Sequence, residues 1–275
     1  MQDSVSDHIY LKSFFETMNQ MRKSEVLCDV VLMTEKGNTK FYAHRSVLAA
    51  SSSYFYNLYT GTYLSRYTRE TNIRGITDKT LGVILDYVYS SEILLSEVDV
   101  EEILCASFQL GLESLKIQCE KFLLRDLCVE NCIKMTNMGR VYSCETLVRE
   151  GQGFIVDNFL EIQTGSLEFF RLPSKELEEI IADDDLNVGY EEQVYNAIRI
   201  WVDFDVRTRQ AEFPNLLNHV RFPSITRKFL LGTIDKDPLV TSSSTSKALV
   251  AEALTFKMAS YRDKKLLQNE RTKRR

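Results

Sequence analysis

The sequence predicts an α+β fold in which an α/β domain precedes an all-α domain, and three patterns support this prediction. Residues 27–59 are typical of two short strands joined by a turn and followed by two short helices. Residues 78–125 hold three amphipathic helices, which complete the mixed first half. From residue 129 onward, apolar residues recur only at helical spacing, and no convincing strand is visible.

The first predicted element is an amphipathic helix over residues 7–23. Tyr10, Phe14 and Met18 are spaced by four residues, and Leu11 and Phe15 widen the apolar stripe. This stripe must be buried, either against its own domain or across a dimer. We favour the dimer, because so large an apolar stripe near a chain end is typical of an association surface.

The next elements are a strand, a turn and a second strand. Val30 to Met33 form an apolar run of strand length, and Gly37 in the following turn is free to take a positive φ. Phe41 and Ala43 then alternate with polar neighbours. In the rest of this domain, apolar residues at helical spacing predict helical structure from Val47 to Tyr59. An extended piece near 70–73 and helices over 78–89, 99–110 and 113–125 are predicted to follow.

The second half is predicted to be a series of short helices. Pro173 followed by Ser174 is typical of a helix start, and Pro223 followed by Ser224 repeats the pattern. The predicted helices are 129–140, 145–160, 174–182, 190–205, 208–219, 226–233 and 247–258. Thr241 to Ser246 is interpreted as a hydroxyl-rich linker. The predicted domains are therefore 1–127 and 128–240, followed by a linker, a last helix and a basic tail in 241–275.

The composition excludes several classes of function. A hydrophobic content of 44% is normal for a globular chain of 275 residues. The net charge of −5 argues against a nucleic-acid partner, because phosphate binding relies on clustered Lys and Arg, which occur here only in 262–275. No signal peptide and no apolar run approaching the ~20 residues of a membrane helix is visible. We expect a cytoplasmic protein with no membrane partner, the nucleus being the alternative location.

No arrangement of residues typical of catalysis or metal binding is recognisable. The six cysteines form no CxxC pair and the three histidines are scattered, so most cysteines are interpreted as buried, reduced thiols. A redox sensor would need an exposed thiol near positive charge, and Cys144 is the candidate. Asp183 to Asp185 lack the ligand spacing of a calcium loop. The sequence predicts no enzyme, no metal and no cofactor.

The first domain resembles the BTB (POZ) family. The resemblance is carried by Cys28-Asp29-Val30, Ala43-His44-Arg45, Leu48-Ala49-Ala50-Ser51-Ser52 and Tyr54-Phe55. Ser53 departs from it, because many members carry proline before the Tyr-Phe pair. The resemblance implies a homodimer with a polar pocket beside the dimer seam, where we interpret Asp29 as forming an ion pair with His44 or Arg45. The predicted dimerisation residues are Tyr10, Leu11, Phe14, Phe15, Met18, Asp29, His44 and Arg45.

The second domain resembles a BACK domain. The matching segments are Leu172-Pro173, Asp184 to Val188, Glu191 to Tyr195 with Ala197, Trp201-Val202, and Leu217 to Pro223. A BTB domain followed by a BACK domain is the front half of Kelch-like proteins. The sequence given contains no Kelch propeller repeats. Trp201, the only tryptophan, lies at helical spacing with apolar neighbours and is predicted to belong to the core.

The resemblance implies an adaptor that recruits an unknown substrate protein to a cullin-3 RING ubiquitin ligase. In the family, the region matching 54–65, together with the tyrosine matching Tyr89, faces the cullin-3 scaffold. A hydrophobic-x-Glu motif of the family falls on Tyr63-Leu64-Ser65, so Ser65 replaces the glutamate. The predicted cullin-binding residues are Tyr54, Tyr56, Asn57, Tyr59, Tyr63, Ser65 and Tyr89.

Two alternatives stay open. The change to Ser65 would remove a charge-assisted contact worth about 1.5–3 kcal/mol. The alternative function is therefore a non-ligase scaffold that dimerises with other Kelch-like proteins or attaches to the cytoskeleton. The alternative interpretation of residues 54–65 is an ordinary surface loop.

Overall fold

The structure is a computed structural model that describes residues 8–61, 68–96 and 99–259. The chain divides into two compact units, the first formed by 1–126 with 138–147 and the second by 127–137 with 148–275. All strands of the described ranges belong to the first unit, so the predicted α+β class is confirmed. Within these ranges, no helix is long and apolar enough to cross a membrane.

A three-stranded sheet forms the centre of the first unit. Its strands are β1 (Val30–Thr34), β2 (Phe41–Ala43) and β3 (Glu70–Ile73). β1 lies between the other two, antiparallel to β2 with Val30 opposite Ala43, and parallel to β3 with Leu32 opposite Thr71. Val30, Val31 and Leu32 are all buried, so both faces of β1 are covered. This explains why its sequence is a continuous apolar run instead of an alternating one.

Gly37, between β1 and β2, is required by a close approach and not by its φ angle. Its φ is not positive, so the predicted positive φ is wrong. A Cβ at this position would overlap the Asp78 carboxylate. That carboxylate accepts hydrogen bonds from the Thr34 hydroxyl (2.6 Å) and from the backbone N–H of Thr39 (3.3 Å). Asp78 therefore holds both ends of the connection in place.

The helices of the first unit follow the predicted order. They are α1 (His8–Lys23), α2 (Arg45–Ser51), α3 (Ser53–Thr60), α4 (Asp78–Ser90), α5 (Val100–Gln109) and α6 (Glu113–Arg125). α1 packs against α4, and α5 packs against α6. Gly111 lies between α5 and α6 with a φ of 61°, a left-handed conformation that favours glycine. The predicted helices over 7–23, 78–89, 99–110 and 113–125 are confirmed within one or two residues.

The described residues of the second unit form helices and no strand. Its helices are α7 (Cys132–Val141), α8 (Glu145–Asp157), α9 (Phe159–Gly165), α10 (Ser174–Ala182), α11 (Glu191–Phe204), α12 (Val206–Arg209), α13 (Phe213–Leu217), α14 (Arg227–Phe229), α15 (Pro238–Ser242) and α16 (Ser244–Met258). The facing ends of α7 and α8 are part of the first unit. Trp201 on α11 is buried, and its indole N–H donates to the Leu172 carbonyl at 3.0 Å. Its predicted core position is confirmed.

Two predicted segments of the second unit are wrong. Residues 208–219 do not form one helix, since α13 begins anew at Phe213, and Pro214 in its first turn has no N–H with which to continue the preceding helix. Residues 241–246 are not a linker, because α15 and α16 occupy them almost entirely. Ser243 between them caps α16 by accepting the backbone N–H of Ser246 at 3.2 Å. Hydroxyl side chains favour helix caps as well as loops, and this explains the error.

Candidate protein-docking surfaces

The apolar stripe of α1 faces solvent in the described structure. Tyr10 is 63% exposed and Phe14 48% exposed, and Leu11 is exposed as well. Phe15 and Met18 are half-buried against the first unit. The ring centroids of Tyr10 and Phe14 lie 6.4 Å apart. Five of the predicted dimerisation residues therefore lie on one helix, three of them exposed and two beside the unit's own body.

A concave apolar groove adjoins this stripe. Its volume is about 530 Å³, and α1, α2, α4 and α6 supply its walls. The apolar side chains on these walls include Phe14, Phe15, Met18, Val47 and Leu115. The stripe and the groove thus form one continuous surface with both a ridge and a depression. Such a surface can receive apolar side chains from another chain.

His44 and Tyr89 form a buried hydrogen-bonded pair in the first unit. The Tyr89 hydroxyl accepts the backbone N–H of His44 at 2.8 Å and lies 2.9 Å from His44 Nδ1. The Val26 carbonyl lies 3.0 Å from His44 Nε2. A carbonyl can only accept, so this geometry assigns the proton to Nε2 and lets Nδ1 accept from the tyrosine. Burial raises the pKa of Tyr89 to about 12, so its hydroxyl remains a donor at neutral pH.

Asp29 supports the start of α2 and is not a buried ion-pair partner. Its carboxylate is exposed and accepts the backbone N–H of Arg45 at 2.8 Å. The Arg45 guanidinium lies 5.2 Å from the ring centroid of Tyr59. The predicted ion pair of Asp29 with His44 is wrong, because both ring nitrogens of His44 have other partners. A carboxylate at this position satisfies one of the free N–H groups of a helix start.

We expect Tyr89→Phe to lower the free energy of unfolding by about 1–3 kcal/mol, because a buried N–H and Nδ1 of His44 would lose their partner. Chemical denaturation of the purified chain measures this loss. Tyr87→Phe is the matched control, because Tyr87 lies on the same helix and its hydroxyl has no hydrogen-bond partner among the described residues. Equal losses in the two variants would contradict the role of the His44 contact.

The exposed side of α3 carries three of the predicted cullin-binding residues. Tyr56 and Asn57 are exposed and Tyr54 is half-buried, and we call these three residues the α3 face. Ser52 fixes the helix start, since its Oγ accepts the N–H of Phe55 at 3.1 Å and its hydroxyl donates to the carbonyl of Leu110. The α3 face is therefore held in place at the junction of α3 with the end of α5.

Other predicted cullin-binding residues are in the interior or outside the described ranges. Tyr59 is 7% exposed and its ring stacks on Phe55 with centroids 5.8 Å apart, and burial raises the pKa of Tyr59. Tyr89 has no exposed surface. Tyr59, Tyr89 and His44 therefore offer little surface to a partner, and their predicted docking and dimerisation roles stay predictions. Tyr63 and Ser65 lie outside the described residues, so the predictions for them stay predictions.

An exposed aromatic group at the end of α5 is absent from the predicted sites. Phe108 lies at helical spacing from the buried Leu104, yet it is 45% exposed. Its ring centroid lies 5.9 Å from that of Tyr142, and Val141 beside it is exposed too. Helical spacing places Phe108 on the same side of α5 as Leu104, but it does not show whether that position is covered.

The cysteines offer no reactive site of the predicted kind. Cys144 is buried, and burial raises the pKa of its thiol to about 11. A redox sensor requires an exposed thiol of lowered pKa, so the candidate role of Cys144 is wrong. Cys119 and Cys132 are buried as well, whereas the other three cysteines are partly exposed. In the part of the chain that the structure describes, no group of three metal-ligating side chains comes together.

Comparison with known proteins relates both units to known domains. The family model of the BTB/POZ domain matches residues 18–127. The BACK family model, described as BTB And C-terminal Kelch, matches residues 132–235. Among solved structures, the BTB domain of zebrafish PATZ1 is similar at 26% sequence identity with a TM-score of 0.39. That similarity covers 44% of this chain and 98% of the zebrafish chain.

Proposed function

Since the chain belongs to the BTB-BACK proteins, which are protein-interaction adaptors and typically not enzymes, we propose that it is a homodimeric adaptor for a cullin-3 RING ubiquitin ligase. Its BTB domain would bind cullin-3, and its helical domain would hold the substrate protein. Ubiquitin transfer itself is the task of other subunits of the ligase. The observation that carries the cullin-binding part of this proposal is the exposed α3 face.

The α3 face has the composition and the rigidity of a docking surface. Its tyrosines combine a large ring with a polar hydroxyl, the combination that is enriched at protein interfaces. Tyr56 is 55% exposed, while the next residue inward, Phe55, is buried. The Ser52 cap and the buried ring of Tyr59 hold the helix from below. A surface that is already ordered loses less conformational entropy when a partner binds.

The stripe and groove of α1 support the homodimer. A twofold dimer uses the same patch on both chains, so each copy must supply a ridge and a depression. Phe14 lies where the two meet, because it belongs to the stripe and also lines the groove. The proposed contact places the stripe of each copy against the groove of the other. A dimer presents two substrate-binding sites, which strengthens weak single contacts through avidity.

We expect the full chain to bind the purified amino-terminal domain of cullin-3 at micromolar concentration, and Tyr56→Ala to weaken this binding about tenfold. The reason is the loss of an exposed aromatic side chain at the centre of the α3 face. Isothermal titration calorimetry measures the dissociation constant. Tyr190→Ala is the matched control, because Tyr190 is an exposed tyrosine of the helical unit.

Failure of the wild-type chain to bind cullin-3 at tens of micromolar would reject the ligase adaptor. The alternative is then a non-ligase scaffold that dimerises, with itself or with other Kelch-like proteins, or attaches to the cytoskeleton. The presence of Ser65 in place of the motif glutamate favours this alternative. Binding that is equal in wild type, Tyr56→Ala and Tyr190→Ala would place the contact away from the α3 face.

A further inference from the structure

A second exposed apolar surface lies on the helical unit. Phe204, at the end of α11, is 60% exposed, and Leu167 in the short 3₁₀-helix Leu167–Arg171 is 73% exposed. Ile200 and Val206 are exposed as well, and Phe170 is partly buried between the surface and the core. We call these five residues the α11 surface. Exposed apolar patches of this kind mark sites of protein interaction.

An aromatic stack connects the two segments that carry these side chains. The rings of Phe170 and Phe204 are stacked, with centroids 5.2 Å apart and an interplanar angle of 25°. Leu167 precedes Phe170 by three residues, and side chains at this spacing eclipse each other in a 3₁₀-helix. Ile200 precedes Phe204 by four residues and shares its side of α11. The patch therefore joins two segments of chain through one aromatic stack.

Arg209 holds this stack rigid. Its guanidinium lies 4.1 Å from the ring centroid of Trp201 and 5.5 Å from that of Phe204. It donates to the carbonyl of Trp201 at 2.7 Å and to the carbonyl of Phe170 at 2.6 Å. One cation thus connects α12, α11 and the 3₁₀-helix. Arginine beside a fixed aromatic ring is a frequent composition of interface hot spots.

Of the arginines around the α11 surface, Arg171 and Arg199 pair with carboxylates of the described residues, whereas Arg207 and Arg209 do not. Among the described residues, Glu168 pairs with Arg171 at 3.0 Å and Asp203 with Arg199 at 3.0 Å. The Asp205 carboxylate accepts the Thr208 hydroxyl at 2.7 Å. Arg207 is exposed, and neither it nor Arg209 forms an ion pair with a carboxylate of the described ranges. Asp205 attracts Arg209 only over a longer distance.

We propose that the α11 surface docks a protein segment that carries a leucine, isoleucine or phenylalanine next to aspartate or glutamate. The apolar side chain would cover Phe204, Ile200 and Leu167. The carboxylate would reach the guanidinium group of Arg207, which is exposed and forms no ion pair with a described carboxylate. Arginine presents a planar fork of donors that suits a carboxylate in a bidentate arrangement. This proposal is independent of cullin binding, because it concerns a different surface on the other unit.

The test is a selection from a random 12-residue peptide display library on the immobilised full chain. We expect enriched peptides that combine a large apolar residue with an acidic residue within a few positions. A synthetic copy of the most enriched peptide is then titrated by fluorescence anisotropy. Phe204→Ala and Arg207→Glu are each expected to weaken its binding about tenfold. The effect of Arg207→Glu is expected to be larger at low salt, because screening is weaker there.

Lys228→Glu on α14 is the matched control, because it reverses an exposed charge on the same unit and should leave peptide binding unchanged. Circular dichroism of each variant checks the fold. Three outcomes would overturn the proposal. They are enrichment of no acidic and apolar peptide, binding that is equal in wild type, Phe204→Ala and Arg207→Glu, or a change of sedimentation in these variants that identifies the surface as a contact between two copies.

Discussion

Phe14→Asp is expected to convert the proposed homodimer into a monomer at micromolar concentration while the chain remains folded. Phe14 is 48% exposed in the single chain, so its replacement disturbs the core of the first unit little. In the proposed dimer the same side chain would be buried. The substitution therefore acts on association much more than on folding.

Two contributions to the association free energy add up in this expected effect. Loss of a buried phenylalanine side chain removes about 1.5–3 kcal/mol of association free energy. An aspartate without a partner in the apolar interface costs roughly another 2 kcal/mol or more. Together they correspond to about three decades or more in the dimer dissociation constant. A nanomolar dimer would thus become a chain that is monomeric at micromolar concentration.

Sedimentation velocity over a hundredfold range of concentration measures this change. Lys12→Gln is the matched control, because it alters the net charge by the same one unit on the opposite side of α1. The control is expected to stay dimeric. If wild type and Phe14→Asp both sediment as monomers, the homodimer is rejected; if both sediment as dimers, the contact lies elsewhere than on α1.

The apolar side of a helix can be predicted well from the sequence where the apolar pattern is long and regular. The stripe of α1 repeats over several turns, so the side of the helix that carries Tyr10, Phe14 and Met18 could be identified from spacing alone. Whether that side is covered depends on elements distant in sequence. The same limit applies to α5, where spacing gives the direction of Phe108 but not its exposure.

Residue type alone did not distinguish the exposed tyrosines of the first unit from the buried ones. Tyr56 is a surface residue, whereas Tyr59, three positions later, stacks on Phe55 and is covered by Arg45. Both were predicted to bind cullin because the resemblance concerns the whole segment. The hydrogen bonds of Tyr89 could not be foreseen either, since His44 lies 45 positions away. Burial of an amphipathic side chain is decided by such long-range contacts.

A buried polar cluster in the second unit could also not be predicted from sequence patterns. Asp237 is 9% exposed and accepts the Tyr195 hydroxyl at 2.6 Å. It forms an ion pair with Arg199 at 2.9 Å, and it accepts the N–H of Leu239 at the start of α15. Its carboxylate thus connects α11 to α15. Asp237 is about forty positions from Tyr195 and Arg199, and the spacing of these residues does not predict that they meet.

We expect Asp237→Ala to lower the free energy of unfolding by about 3–5 kcal/mol, because it leaves the buried Tyr195 hydroxyl without its acceptor and Arg199 with only the exposed Asp203 as an ion-pair partner among the described residues. Urea denaturation, followed by the fluorescence of Trp201 in the same unit, measures this loss. Asp203→Ala is the matched control, because Asp203 pairs with the same Arg199 at 3.0 Å but its side chain is 51% exposed. An exposed ion pair contributes about 0–1 kcal/mol.

The cause of the loss can be separated by a second substitution. If the loss of the buried partner of Arg199 dominates, then Arg199→Met in the Asp237→Ala background should restore part of the stability, because an apolar side chain of similar length needs no acceptor. If loss of the α15 cap dominates, the double variant should be no more stable than Asp237→Ala alone. Equal, small losses for Asp237→Ala and Asp203→Ala would contradict both, and would show that the cluster contributes little to holding α15 against α11.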